Sequence, residues 1–245
     1  MQRTAPRLTR ILACAAVPVM LVVAGCSSDS GGSGSGASGS KDKGASSASA
    51  TPSPKQTTKT VEPAKFAKLP EACKAISART TGALVPKAKT KNGTPAVSSD
   101  LGSRTGCSWN GLDDKGVKGS QYRWLDVSFY RYESDPALGS GQERAQENLA
   151  KELAKIEQTP GATKLTTTPA TGIGDEAKSV AYRLRKTNED FVYDSIVART
   201  GNVLVLLSYN GAGYAGADTP SDKTVMTGAV AAAKEAVAAV AAANK

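Results

Sequence analysis

The stretch FVYDSIVARTGNVLVLLSY, residues 191–209, decides the fold class. Its two halves, 191–200 and 203–209, are rich in β-branched and aromatic side chains, and Thr200-Gly201-Asn202 joins them as a tight-turn signal. Residues 203–209 are almost wholly apolar, as expected of a central strand covered on both faces. A further strand candidate, 180–185, precedes them closely. Joins this short suit antiparallel neighbours, because parallel ones need a crossover of about a dozen residues or more.

Working outward, residues 121–132 alternate with a period of two. Leu125, Val127 and Phe129 share one face; Tyr122, Trp124, Tyr130 and Tyr132 share the other, together with Asp126 and Ser128. The glycine-rich segment 111–119 turns this strand back to a short one at 107–110. Ala145, Leu149, Leu153 and Ile156 recur at helical spacing across 142–158, and Pro160-Gly161 ends that helix. Residues 211–216 read as a small-residue loop, either a lid beside a pocket or a plain surface connection. Thr219-Pro220-Ser221-Asp222 has the pattern of a capped helix start. The helix it opens runs to about Ala243 and turns Val225, Ala229, Ala232, Ala236, Val237 and Val240 inward. Near the other end, Pro70 followed by Ala72, Cys73 and Ile76 predicts a short helix to about Thr81, and 86–106 a long loop. This alternation of helices with closely joined strands is that of an α+β fold, a mostly antiparallel sheet flanked by helices.

The first 60 residues follow none of these patterns. Arg3, Arg7 and Arg10 precede an uncharged apolar run, 11–23, which leads through Ala24 and Gly25 into Cys26. That is the layout of a bacterial lipoprotein signal peptide, residues 1–25, cut between Gly25 and Cys26, whose thiol takes a diacylglyceryl group. An ordinary secretory signal is the alternative. The apolar run falls short of the roughly 20 residues a membrane span needs. Residues 26–60 then read as a lipidated cysteine and a disordered Ser/Gly/Pro tether, reaching about 30–35 Å as a coil. Residues 61–245 are enough for a single globular domain with its own core. The expected location is the extracytoplasmic face of the cell membrane, held by lipid.

Composition narrows the function. The formal charge is +9, and loss of the three arginines in residues 1–25, which hold no acids, leaves 9 − 3 = +6. Basic and acidic residues are interspersed, which suits anionic envelope polymers or lipid headgroups, or a merely solvated surface, and implies no nucleic-acid groove. Cys73 and Cys107 form an even pair in an oxidising compartment and predict a disulfide, with free thiols as the rival. The chain has no histidine. Ser-His-Asp and Cys-His catalysis are thereby excluded, and two cysteines alone make a poor metal site. Paired carboxylates, Ser-Lys dyads and carboxylate metal sites remain open, but no motif supports them. We therefore expect no enzyme, metal or cofactor.

Three features are open to a functional reading. The aromatic face Tyr122, Trp124, Tyr130, Tyr132 suits a sugar or another flat ligand, and a helix lying over it accounts for it equally well. Trp109, beside Cys107, packs most simply on the disulfide. Gly174-Asp175-Glu176-Ala177 makes a turn; a metal or carbohydrate site on Asp175 and Glu176 is disfavoured, since adjacent strand residues point to opposite faces.

Read together, the Cys26 motif, the tether, Cys73 after a proline, Cys107-Ser108-Trp109 and Gly172-Ile173-Gly174-Asp175-Glu176-Ala177 resemble a family of actinobacterial lipoproteins known only as a domain of unknown function. The resemblance covers about residues 65–243. Where the family has Asp-Pro before its first cysteine, this chain has Pro70-Glu71-Ala72. The pattern is also similar to extracellular sensor domains of some actinobacterial serine/threonine kinases, and the three-layer sandwich called Mog1/PsbP-like fits the strand order. The resemblance implies no catalytic residue. The function expected is a lipid-anchored, non-catalytic binding or sensor-like domain of the envelope. Its partners beyond the membrane would be an anionic polymer, a glycan or a protein. The alternatives are a cell-wall enzyme using carboxylates or a Ser-Lys pair, and an accessory subunit of an envelope complex.

Overall fold

The computed structural model describes residues 60–245. The expected signal peptide, Cys26 and nearly all of the expected tether lie outside the described residues.

The hairpin at 191–209 is the centre of the sheet. Strand β6 (Glu189–Thr200) and β7 (Val203–Tyr214) pair antiparallel, and Thr200 faces Val203 across a two-residue turn. Gly201 opens that turn at φ 54°, a conformation glycine adopts without a Cβ penalty. Beyond β6 lie β5 (Glu176–Lys186) and the edge strand β4 (Thr163–Pro169). Beyond β7 lie β3 (Ser120–Arg131), β2 (Arg104–Asp114) and the two-residue β1 (Thr94–Pro95). The seven strands run β1-β2-β3-β7-β6-β5-β4 with every neighbouring pair antiparallel, so the α+β expectation holds.

Among the described residues three α-helices flank the sheet. Helix α3 (Asp222–Ala242) lays Val225, Ala229, Ala232, Ala236 and Val240, all fully buried, on one face. There they meet Leu125, Val127 and Phe129 of β3 and Val203, Val205 and Leu207 of β7 in the main core. Helix α2 (Gly141–Glu157) lies on the opposite face, its Leu149 against Val197 and Leu204 and its Leu153 and Ile156 over Val180, Tyr182 and Leu184. Ser140 caps α2 through a reciprocal box with Glu143. The short α1 (Ala78–Leu84) abuts α3, and the Tyr209 hydroxyl donates to Leu84 O at 2.8 Å.

Several boundaries differ from the sequence reading. The first helix is two pieces, a 3₁₀ turn at Ala72–Lys74 and α1, whose N-cap Ser77 accepts from Thr80 N–H. Helix α3 starts two residues later than expected, because Ser221 takes the capping role assigned to Thr219. The 107–110 strand extends to 11 residues. The loop expected at 211–216 is, as far as Tyr214, a continuation of β7 paired with β3, Gly213 opposite Gln121 and Tyr214 opposite Ser120. A Cβ on Gly213 would run into the Ala217 carbonyl, so the small residues there admit the returning chain and form no lid. Strand β4 carries no apolar alternation to mark it; all seven of its residues are exposed.

The amino-terminal end of the described chain is strapped to the sheet. Asn202, fully buried, accepts from Phe66 N–H at 2.8 Å and donates to Phe66 O at 3.0 Å and to Tyr132 O at 2.9 Å. Asn244, just past α3, accepts from Ala67 and Lys68 N–H, both at 2.9 Å.

Candidate functional site

Pleating places Tyr122, Trp124, Asp126, Ser128 and Tyr130 on the face of β3 turned away from α3, as the period-two pattern predicts. Helix α2 lies over the same face of the neighbouring strands β7, β6 and β5, and its cluster takes in only part of the aromatic row. Tyr130 and Tyr132 pack against the Leu149–Val197–Leu204 cluster, and the guanidiniums of Arg104 and Arg144 lie 5.4 Å and 5.9 Å from their ring centres. Tyr130 also borders a separate shallow hollow under the 96–103 loop. Those two rings belong to the structural half.

Tyr122 and Trp124, half-buried like those two rings, lie outside that cluster. They line an open cleft of about 600 Å³ with Phe191 and Tyr193 of β6 and Tyr214 at the end of β7. The rings brace one another: Phe191 meets Tyr122 edge-on at 5.8 Å and Tyr214 at 6.2 Å. Tyr193 stacks on Tyr182 at 4.8 Å, the latter tucked beneath α2. Rings held this way lose little freedom when a ligand arrives.

The floor of the cleft is polar. Asp126 stands directly across from Ser208, and Trp124 directly across from Asn210, so an acid, a hydroxyl and an amide sit in adjacent pairs on one flat surface. Ser208 is within 3.3 Å of Ser195, whereas Asp126 has no hydrogen-bond or ion-pair partner among the described residues. Burial alone pushes its carboxyl up to about 6 from 3.8. Lys186 occupies one rim, its ammonium 3.0 Å from the Tyr193 hydroxyl. Beside it Thr187 is held at φ 50°, a conformation uncommon for a β-branched residue.

Sequence reasoning found half of this cleft. Tyr122 and Trp124 were legible from the β3 alternation. Phe191, Tyr193 and Tyr214 were missed, although Phe191 and Tyr193 share the parity of Val197, which α2 covers, and Tyr214 shares that of Leu204 and Leu206. Two-residue hairpin turns with a period of two would have placed all of them on one face.

The other expected features have structural roles. Cys73 and Cys107 are bonded, with Cα atoms 5.1 Å apart. Trp109 is buried beside them, and Gly93 fits against both, since a Cβ there would reach the Cys107 sulfur and the indole ring. Asp175 accepts from Gly201 N–H at 2.6 Å and from Arg199 at 3.2 Å, while Glu176 turns to Gln146 at 2.8 Å. The two acids therefore point to different partners and do not converge. Among the described residues no group of three or more His, Cys, Asp and Glu side chains is placed to hold a metal ion.

No family model and no curated protein matches the chain. Among solved structures, the crystal structure of LpqN, involved in cell envelope biogenesis of Mycobacterium tuberculosis, is similar over 58% of this chain and 87% of its own, at 13% identity and a TM-score of 0.33. A likeness of that extent assigns neither family nor function.

Proposed function

We propose that the protein is a lipid-anchored, extracytoplasmic, non-catalytic binding module of the cell envelope, and that its ligand site is the open cleft on β3, β6 and β7. The anchor rests on the Cys26 motif. The binding role rests on one observation: Tyr130 and Tyr132 pack in the cluster with Leu149 of α2, whereas Tyr122 and Trp124 line an open cleft around the unpartnered carboxylate of Asp126. Such a carboxylate is costly to keep ionised, and a ligand that gives it partners recovers that cost. Three or more braced rings around a few polar groups is the make-up of a recognition site for flat, amphipathic molecules.

The test is a thermal-melting measurement on the full-length lipoprotein in native membranes, with and without the water-soluble extract of deacylated envelope. The extract should raise the midpoint by several degrees in wild type and by nothing in Trp124→Ala or Tyr122→Ala. An equal rise in those variants, or none in wild type, removes the cleft as the site.

A further inference from the structure

Resting on that reading, we infer that the cleft takes a neutral oligosaccharide, bound as an extended chain across two adjoining subsites, with Asp126 and Asn210 reading sugar hydroxyls in the first.

Three observations carry this. The first is the mixture of groups on the floor. Asp126 offers only acceptors, Asn210 offers both donors and an acceptor, and Ser208 either. A sugar ring presents hydroxyls that both donate and accept along its edge and aliphatic C–H groups on its face. The ring face suits Trp124 and Tyr122, and the edge suits the acid and the amide. A purely apolar ligand would leave Asp126 and Asn210 desolvated without partners.

The second is continuity. Tyr122 and Tyr214 also line a neighbouring hollow of about 470 Å³, whose far side holds Leu112, Asn110 and Lys89. The two hollows thus adjoin across a shared pair of tyrosines. Polar groups recur on both sides of the pair, Asp126 and Asn210 on one, Asn110 and Lys89 on the other. A repeating ligand has the matching alternation of ring and hydroxyl edge; a compact one would fill a single hollow.

The third is charge. An organic cation is the competing occupant, because aromatic rings around a carboxylate also suit an ammonium group. Lys186 stands on the rim of the first hollow and Lys89 on that of the second, and Asp126 is the single acid among the residues lining them. Two lysines to one acid disfavour a cationic guest, whereas an uncharged polyhydroxyl chain gains from donors and acceptors alike.

The experiment is a binding titration on the full-length lipoprotein in detergent, read by tryptophan fluorescence, with neutral oligosaccharides of one to six units and with tetramethylammonium as the cationic probe. Supporting the inference, affinity should rise at least tenfold from one unit to three. Asp126→Asn, which keeps the side-chain shape, should lose it at least tenfold, and Trp124→Phe more mildly. Tyr132→Phe, under α2, should match wild type. If no oligosaccharide binds while tetramethylammonium gives a change that depends on Asp126, the glycan inference falls and the cleft remains a site for cations. If neither probe binds and the envelope extract also fails to shift the melting midpoint, the proposed binding function falls with it.

Discussion

Asn202 grips Phe66 at both backbone atoms: its amide oxygen accepts from Phe66 N–H at 2.8 Å and its amide nitrogen donates to Phe66 O at 3.0 Å. A third bond, to Tyr132 O at 2.9 Å, ties the same side chain to the end of β3. One buried amide in the central hairpin turn thus secures the segment that leads into the domain. Asn202→Ala would strand these backbone groups, and we expect a loss of about 3 kcal/mol in urea unfolding. Proteolysis near residues 62–66 should appear well before global unfolding. A variant as stable and as resistant as wild type would show that the strap is held elsewhere.

The disulfide closes a loop with a sequence separation of 34 residues. Its reduction should cost about 3–4 kcal/mol in the chain-entropy view. Trp109 packs in the same region, so its emission should move to longer wavelength as that corner loosens. Unchanged stability of Cys73→Ser/Cys107→Ser would contradict this.

Gly174 has a φ of 61°, and a Cβ on it would collide with the Arg199 carbonyl. That contact seats Asp175, whose carboxylate caps the Gly201 turn. Gly174→Ala should therefore destabilise by about 2–3 kcal/mol, and Asp175→Ala by about 1–2 kcal/mol. Both are measurable by chemical denaturation, and a neutral Gly174→Ala would refute the steric account.

Asp126 titrates at about 6 in the folded protein against an ordinary 3.8, through burial. The folded state therefore holds the proton more tightly. The stability this contributes is complete below about pH 4 and is lost as pH climbs through 6. Asp126→Asn should be near neutral at pH 4 and stabilising by about 2 kcal/mol at pH 7.5. The other titratable groups lining the cleft are Lys186, Tyr122, Tyr193 and Tyr214. Ligand affinity should fall below pH 6 in wild type, because the protonated carboxyl gives up part of its acceptor capacity. An effect of Asp126→Asn that is equal at both pH values would sink this assignment.

Labelling with an alkyne fatty acid should mark wild type and leave Cys26→Ser unmarked, with the variant released from the membrane fraction. An unlabelled wild type would overturn the anchor.

The fold was readable where burial imposes a period. Residues 125–129 and 203–209 are buried on a regular schedule and could be placed to within a few residues, as could Ala145 to Ile156 of α2. Reading failed where geometry is set by backbone fit. The Gly211–Gly213 segment looks like a loop because it lacks large side chains, yet it is strand because Arg123, Tyr122 and Ala217 press against it. Strand β4 escaped notice because nothing covers it, so no apolar alternation was required of Thr166, Thr167 and Thr168. The aromatic row of β3 could be seen, but which of its rings join the α2 cluster and which line the cleft depends on where α2 lies over the sheet, which local periodicity does not encode.

The strap has a geometrical corollary. It meets the sheet at the Asn202 turn, whereas Asn210 lies eight residues further along β7, about 25 Å away at strand rise. Any pull arriving through residue 60 is therefore taken up at the butt of the sheet, and the groove with its Lys186–Thr187 lip is carried at the opposite tip. A force on the strap therefore need not open the groove, and a guest entering the groove need not disturb the strap.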